Sequence, residues 1–203
     1  MINKRNNKTI KRVALIEVND QVDNKPGYNE AREPLNLCYL KRALKKQGYE
    51  TKVFQQLDTS KKKFLKQIEN YSSDVIGFTA VSPTYKIAIE YKNILKKKNA
   101  NQISVIGGIH ASIDPESCKN DFDYIIRGEG EEVLIQLLND LNQGKKNNIQ
   151  GVSYKRNNEF VNGGYAPRLK DLDNIGFPDR SDLDMTRYTG AVPQPEIDGN
   201  YGS

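Results

Sequence analysis

The chain has 203 residues, of which 36% are hydrophobic, and a formal net charge of +5. This length suits one domain with an appendage. The lysines are scattered over predicted helix faces without interleaved aromatic residues, so solvated surfaces are favoured over a nucleic-acid interface. No apolar run approaches the ~18 residues of a membrane span, and the residues after Met1 are polar and charged, so we expect neither a membrane segment nor a signal peptide.

Two cysteines, Cys38 and Cys118, lie far apart and outside any C-x-x-C pattern. This spacing argues against a disulfide framework and against a zinc site, so we expect no metal ligands and a reducing, cytoplasmic environment. The first ten residues form a basic arm, which is typical of a mobile terminus.

Short apolar runs alternate with amphipathic stretches along the chain. Pro34 occupies a favoured position in the first turn of a helix, and Gly48 ends that helix. The alternation of apolar and polar residues at 51–57 indicates an edge strand. The predicted strands cover residues 13–18, 51–57, 75–81, 103–106 and 124–126, and helices begin at or near residues 34, 60, 83, 114 and 131.

This alternation of strands and helices predicts parallel, right-handed βαβ units. The expected fold class is α/β, a Rossmann-like or flavodoxin-like open sheet of five parallel strands with helices on both faces. After Gly144 the pattern changes, and residues 152–161 read as a hairpin around Asn157-Asn158. We therefore divide the chain into a basic arm (1–10), an α/β domain (11–146), and a hairpin with an extended linker (147–203).

Three predicted strands end in small, polar or glycine residues. Because the carboxyl ends of parallel strands meet at one edge of a sheet, these motifs are expected to form a ligand-binding crevice. The candidate binding residues are Ser82, Pro83, Thr84 and Tyr85 after the third strand, Gly107, Gly108, His110 and Ala111 after the fourth, and Gly128, Glu129, Gly130 and Glu131 after the fifth.

Each motif also has a plainer interpretation. Ser82 and Thr84 can be simple helix caps with no ligand, and a lone histidine such as His110 is usually structural. The two glycines of the fourth strand can simply form a tight turn. We predict instead that Gly108 lies where the backbone approaches a ligand, so that any Cβ would collide with that ligand or would demand a disfavoured φ.

The Gly128-Glu-Gly-Glu131 loop is not a dinucleotide fingerprint, because Val133 stands where the last glycine of G-x-G-x-x-G belongs. Its two carboxylates would also repel a pyrophosphate. They can stabilise a helix N-terminus, or they can line a site for a ligand rich in N–H donors. A neutral macrocycle with amide arms fits the second interpretation better than a nucleotide does.

Taken together, four segments resemble the N-terminal cobalamin-binding domain of B12-dependent radical SAM (S-adenosylmethionine) enzymes. The resemblance covers residues 11–143 and extends loosely to 172–178. It implies cobalamin as the cofactor and methyl transfer as the activity of the parent enzyme. The segments are PLNLCYLKRALKKQGYE, VIGFTAVSPTY, VIGGIHASIDPE and DYIIRGEGEEVLIQLL, in the family's order.

Other cobalamin modules carry D-x-H-x-x-G after the first strand, and residues 23–27 (DNKPG) do not match that motif. The resemblance therefore implies a base-off corrinoid without histidine ligation. The family's next element is a barrel with C-x-x-x-C-x-x-C, which this chain lacks. The [4Fe-4S] cluster and S-adenosylmethionine would thus belong to an absent barrel domain, joined in cis or acting in trans. No catalytic residue is assigned to this chain, and whether it is an enzyme by itself stays open.

A second interpretation is a non-catalytic flavodoxin-like domain that recognises a substrate or a partner and has lost the corrinoid. The charged residues Lys25, Glu30 and Arg32 in the first loop keep this alternative open.

Overall fold

The computed structural model describes residues 9–19, 32–57, 59–145, 148–171 and 174–188. The basic arm as far as residue 8, the first-loop stretch with Lys25 and Glu30, and the chain from residue 189 onward lie outside these ranges. None of the helices in the described part is long and apolar enough to cross a membrane.

A seven-stranded sheet forms the centre of the molecule, with the order β2-β1-β3-β4-β5-β6-β7. The first five strands are parallel, which confirms the predicted α/β fold and the edge position of β2. The predicted hairpin is also present, and it extends the sheet by two antiparallel strands. The strands are β1 (Arg12–Glu17), β2 (Glu50–Gln55), β3 (Val75–Thr79), β4 (Ile103–Gly107), β5 (Tyr124–Ile126), β6 (Val152–Arg156) and β7 (Glu159–Val161).

Helices cover both faces of the sheet. The first and last α-helices pack on one face, and the other α-helices contribute to the core on the opposite face. One short helix, α4, was not predicted, because five residues are too few to show a helical period. The helices are α1 (Leu35–Lys46), α2 (Lys61–Tyr71), α3 (Ser82–Lys98), α4 (Ile109–Ile113), α5 (Pro115–Cys118), α6 (Glu131–Asn142) and a 3-10 turn (Met185–Tyr188).

Strand β1 shows why these sequences form central strands. Val13 and Leu15 point to the α1/α6 face, whereas Ala14 and Ile16 point to the other face, and all four are buried. A strand covered on both faces needs a continuous apolar run rather than an alternating one. Since β1 pairs with both β2 and β3, the direction of the chain through the sheet reverses between β1 and β3. This reversal opens a crevice at their carboxyl ends.

Residues 174–188, here called the return segment, pack against α1 and the outer edge of β2. The backbone N–H of Asp179 donates to the Cys38 carbonyl at 3.1 Å. Asp182 accepts a hydrogen bond from the Val53 N–H at 2.8 Å, so the segment satisfies an exposed donor of the edge strand. Lys41 is only 2% exposed and lies 2.5 Å from Asp182 and 3.2 Å from Asp179. Its ammonium therefore ties α1 to the return segment.

We expect Lys41→Met to lower the free energy of unfolding by about 3 kcal/mol, because two carboxylates lose the buried cation that neutralises them. Lys45 is a matched control, since it lies 2.7 Å from Asp179 but its side chain is 48% exposed. Lys45→Met should cost less than about 1 kcal/mol. Urea denaturation followed by circular dichroism measures both. If both variants lost the same free energy of unfolding, burial would not explain the contribution of Lys41 to stability.

Candidate functional site

The three predicted motifs meet at the carboxyl edge of the sheet. Thr79 at the end of β3 pairs with Gly107 at the end of β4. Strand β5 pairs with β4 on its other side, and the loop 128–131 follows β5. The residues that the sequence singled out thus come from three adjacent strand ends.

The motif after β3 divides into exposed and buried residues. Ser82 and Pro83 are exposed in the first turn of α3. Thr84 is buried, and its hydroxyl accepts from the Val81 N–H at 3.2 Å, so it caps the helix. Tyr85 is buried as well, with its hydroxyl donating to Asp121 at 3.1 Å. Two of the four candidates therefore have structural partners inside the protein.

His110 links α4 to the neighbouring helices. Its two ring nitrogens lie 3.1 Å from the hydroxyls of Ser82 and Ser117. The ring also stacks on Tyr85, with the centroids 4.0 Å apart. A neutral imidazole donates from one nitrogen and accepts at the other, and hydroxyl groups can satisfy both. The histidine is therefore held by the protein itself, above the fully buried Ala111.

Gly108 has the positive φ that the sequence analysis gave as one reason for a glycine at this position. It adopts φ 90° and ψ −170°, a region that only glycine occupies readily. A Cβ there would lie 2.7 Å from Thr79 Oγ1 and 2.9 Å from the Ala80 carbonyl oxygen. These are atoms of the chain, so the protein's own packing disfavours a Cβ at Gly108, and the predicted approach of a ligand to this residue stays a prediction.

Gly107 has more space around a Cβ than Gly108 has. A Cβ added to Gly107 would come no closer than 3.8 Å to Ile126 O and 4.0 Å to Phe78 O, which are ordinary contacts. Because side chains alternate along a strand, Gly107 points to the same face as Val105, the face that packs against α1 and α6. Its missing side chain leaves room between the sheet and these helices.

The loop after β5 is bound to the chain that comes after the hairpin. The Gly128 N–H donates to Ser112 Oγ at 3.1 Å, and Glu129 accepts from the Leu169 N–H at 2.5 Å. The Arg127 guanidinium lies 4.2 Å from the ring centroid of Tyr165. These contacts place residues 162–169 beside the carboxyl edge.

Glu131 opens α6, directly after Gly130, and carries a buried acceptor without a partner. Its Oε2 is inaccessible to solvent and has no hydrogen-bond partner among the described residues. Burial raises the pKa of this carboxyl, and the charges of Glu129 and Glu132 raise it further, whereas the backbone N–H groups of Glu131 and Gly130 act to lower it. A buried acceptor without a donor is costly, so this position is suited to a ligand that brings an N–H or O–H group.

The sequence interpretation missed an apolar surface at the same edge, here called the apolar edge surface (Val81, Ile109, Ile113 and Tyr165). Their exposed fractions are 42%, 62%, 73% and 54%. Ile109 and Ile113 lie one turn apart in α4, the helix that was not predicted. Two isoleucines four residues apart, directly after Gly107-Gly108, were the sequence signal that could have indicated this helix and its exposed face. Exposed apolar residues grouped in this way mark a contact surface rather than random exposure.

Polar groups line the switch point between β1 and β3 and were also missed. Asn36 Nδ2 donates to Thr79 Oγ1 at 3.3 Å. At the end of β1, Glu17 accepts from Gln55 Nε2 at 2.6 Å, and burial raises the pKa of its carboxyl. Hydrogen-bonding groups therefore stand beside the space at Gly107.

We expect substitutions of the two glycines to have different effects on stability. Gly108→Ala should lower the free energy of unfolding by at least about 1–3 kcal/mol, because alanine must adopt a strained φ and meet Ala80. Gly107→Ala should change it by no more than about 0.5 kcal/mol, since its Cβ meets only ordinary contacts. Thermal and urea unfolding of both variants check this. A strongly destabilised Gly107→Ala variant would contradict the space we assign to it.

Comparisons with known proteins identify the family and the fold. The family model of the B12 binding domain matches residues 31–138, more than half of the chain. Over 161 residues the chain is 30% identical to an uncharacterized methyltransferase of Pyrococcus horikoshii, an alignment covering 76% of this chain and 35% of that protein. It is also 30% identical over 165 residues to an anaerobic magnesium-protoporphyrin IX monomethyl ester cyclase of Cereibacter sphaeroides, covering 76% of this chain and 27% of that protein.

A similar fold occurs in the cobalamin-dependent S-adenosylmethionine radical enzyme OxsB with aqua-cobalamin bound. The TM-score is 0.67 at 21% identity, over 78% of this chain and 23% of that one. The chain thus spans about a third or less of the length of these relatives. The chain belongs to the B12-binding domain family.

Proposed function

We propose that this chain is the cobalamin-binding module of a radical SAM methyltransferase-type enzyme. The observation that carries the proposal is the carboxyl edge, where three strand-end motifs surround an exposed apolar surface. The match to the B12 binding domain family indicates that the ligand at this edge would be a cobalamin. The barrel that would supply the iron–sulfur cluster and S-adenosylmethionine lies outside this chain, in cis or in trans.

The residues present fit a corrinoid. A corrin ring is a broad macrocycle with apolar faces and a fringe of amide arms. Val81, Ile109 and Ile113 offer exposed apolar contact to such a face. We assign the exposed residue Ser82 and the carboxylate of Glu131 to the polar arms. The chain therefore provides both kinds of contact that the ligand requires.

The space at Gly107 suits the nucleotide tail. We place the tail on the α1/α6 side of the sheet, near Gly107 and the hydroxyl of Thr79, with Gly108 shaping the turn beneath it. Small residues here let the ligand approach the backbone. Thr84 and Tyr85 contribute indirectly, since both are turned into the protein and fix the start of α3.

We further propose that the cobalt is bound base-off and without histidine. Bound cobalamin supplies a cobalt centre that can carry a methyl group. His110 is the sole histidine of the sequence, and both of its ring nitrogens are engaged by serine hydroxyls. This arrangement holds α4 in place and supports a cobalt without histidine ligation from this chain.

The chain reconstituted with hydroxocobalamin should retain it through a desalting column and show a base-off visible spectrum. His110→Gln should leave the spectrum unchanged. Gly107→Val should fold, because valine suits a strand, but should lose retention since its side chain fills the space for the tail. Absence of retention by the folded wild-type chain would favour the recognition-domain alternative, and a base-on spectrum would refute the ligation proposal alone.

Glu131→Gln should affect stability and cobalamin affinity in opposite directions. The folded pKa of Glu131 lies above its usual 4.5, so ionisation opposes folding, and the variant should be more stable than wild type at neutral pH but not below pH 4.5. Its cobalamin affinity should fall about fivefold, since a charged acceptor becomes neutral. Glu132→Gln, at an exposed neighbour on α6, is the control: it should leave the affinity unchanged and should raise the stability less than Glu131→Gln does, because it removes only part of the repulsion on Glu131. Unchanged affinity of Glu131→Gln would remove its carboxylate from the site.

A further inference from the structure

Phe177 has the largest exposed fraction, 90%, of the large hydrophobic residues in the described ranges. It does not project from a loose stretch. On one side, the Asn174 carbonyl accepts from Lys46 Nζ at 2.5 Å, and on the other the Asp179 N–H donates to the Cys38 carbonyl at 3.1 Å. Ile175, two residues earlier, is only 9% exposed. The return segment thus buries Ile175 and directs Phe177 outward.

The anchoring of Phe177 is strengthened from the other side by the buried pair of Lys41 with Asp179 and Asp182. Burial alone would raise the pKa of Asp179, but hydrogen bonds from Lys45 and Ser181 outweigh it and hold that pKa well below its usual range. The carboxylate is therefore charged and firmly held at neutral pH. A fixed segment presents its aromatic residue at little further entropic cost on binding.

Positive charge lies beside Gly176, the residue before Phe177. A Cβ built on the adjacent Gly176 would lie 3.8 Å from Arg42 Nε and 3.9 Å from Lys46 Nζ. An exposed aromatic ring beside cationic groups is the arrangement of an interface anchor with a charged rim. Its complement is an apolar pocket rimmed by carboxylates.

We propose that Phe177 anchors the docking of the barrel domain onto this module; this inference rests on the proposed function. The return segment passes along α1 and reaches the carboxyl edge, where Tyr188 hydrogen-bonds to Gln55 at the end of β2. Leu35, the first residue of α1, is 41% exposed at the same edge. A domain that covers the carboxyl edge can therefore extend along α1 to Phe177. The relatives, about three times as long as the matched region, have room for such a domain.

The test uses the absence of tryptophan from the sequence. In Phe177→Trp the indole is the sole tryptophan of this chain, and it should emit as a water-exposed indole in the isolated chain. When the barrel domain of the same enzyme is present, fused or added as a subunit, iodide quenching of the 177 indole should fall severalfold. The tryptophan fluorescence of the barrel is measured in the presence of the wild-type chain and is subtracted. Unchanged quenching would overturn the inference.

Lys97→Trp is the matched control, because Lys97 is exposed on α3, which packs on the opposite face of the sheet. Its quenching should be the same with and without the barrel, and equal protection at both positions would also overturn the inference. Phe177→Ser should weaken association with the barrel at least tenfold, while the isolated chain retains cobalamin as wild type does. Failure of the wild-type chain to retain cobalamin would count against the proposed function, whereas undiminished association of Phe177→Ser would count against the docking anchor.

Discussion

The parallel pairing of β1 with both β2 and β3 is the constraint on which the rest of the structure depends. Parallel neighbours cannot be joined by tight turns, so each connection must cross a face of the sheet as a helix. These crossings bury both faces of β1, and they bring every carboxyl end of the parallel strands to one edge. The reversal of strand order beside β1 then opens that edge. The location of the site is thus a consequence of topology before any particular side chain is considered.

Several features of that edge oppose the stability of the isolated chain. Ile109 and Ile113 expose apolar surface, and Glu131 keeps a buried oxygen without a donor among the described residues. Such features are uncommon in a folded chain unless something compensates for them. A corrinoid with apolar faces and amide donors would compensate for both at once. In this interpretation, corrinoid binding would offset the free energy that the exposed apolar surface and the buried oxygen cost.

The return segment, in contrast, stabilises the isolated chain. Lys41 and its two carboxylates are costly to desolvate, yet several contacts satisfy them. Lys41 donates to the Ser181 hydroxyl, that hydroxyl donates to Asp179, and the Val53 N–H donates to Asp182. The pair also covers the outer edge of β2, which would otherwise offer free N–H groups to another strand. The return segment is therefore held on the domain along α1 and β2, and it presents Phe177 from a defined place.

Local sequence pattern was sufficient to predict the strands, the long helices and the hairpin, because these depend on periodicity and on turn residues such as Asn157-Asn158. It was also sufficient to predict which strand ends meet, since the βαβ alternation permits few arrangements. It did not reveal α4, whose five residues show no period, nor the apolar edge surface that α4 carries.

The role of each side chain at that edge was set by tertiary packing. Gly108 cannot be replaced without strain because Thr79 and Ala80 at the end of the neighbouring strand lie against it, and His110 is held by two serines from different helices. Lys41 meets Asp182 across 141 residues of chain. Contacts between residues so far apart leave no local pattern in a single sequence, because they arise from packing rather than from the conformational preferences of neighbouring residues.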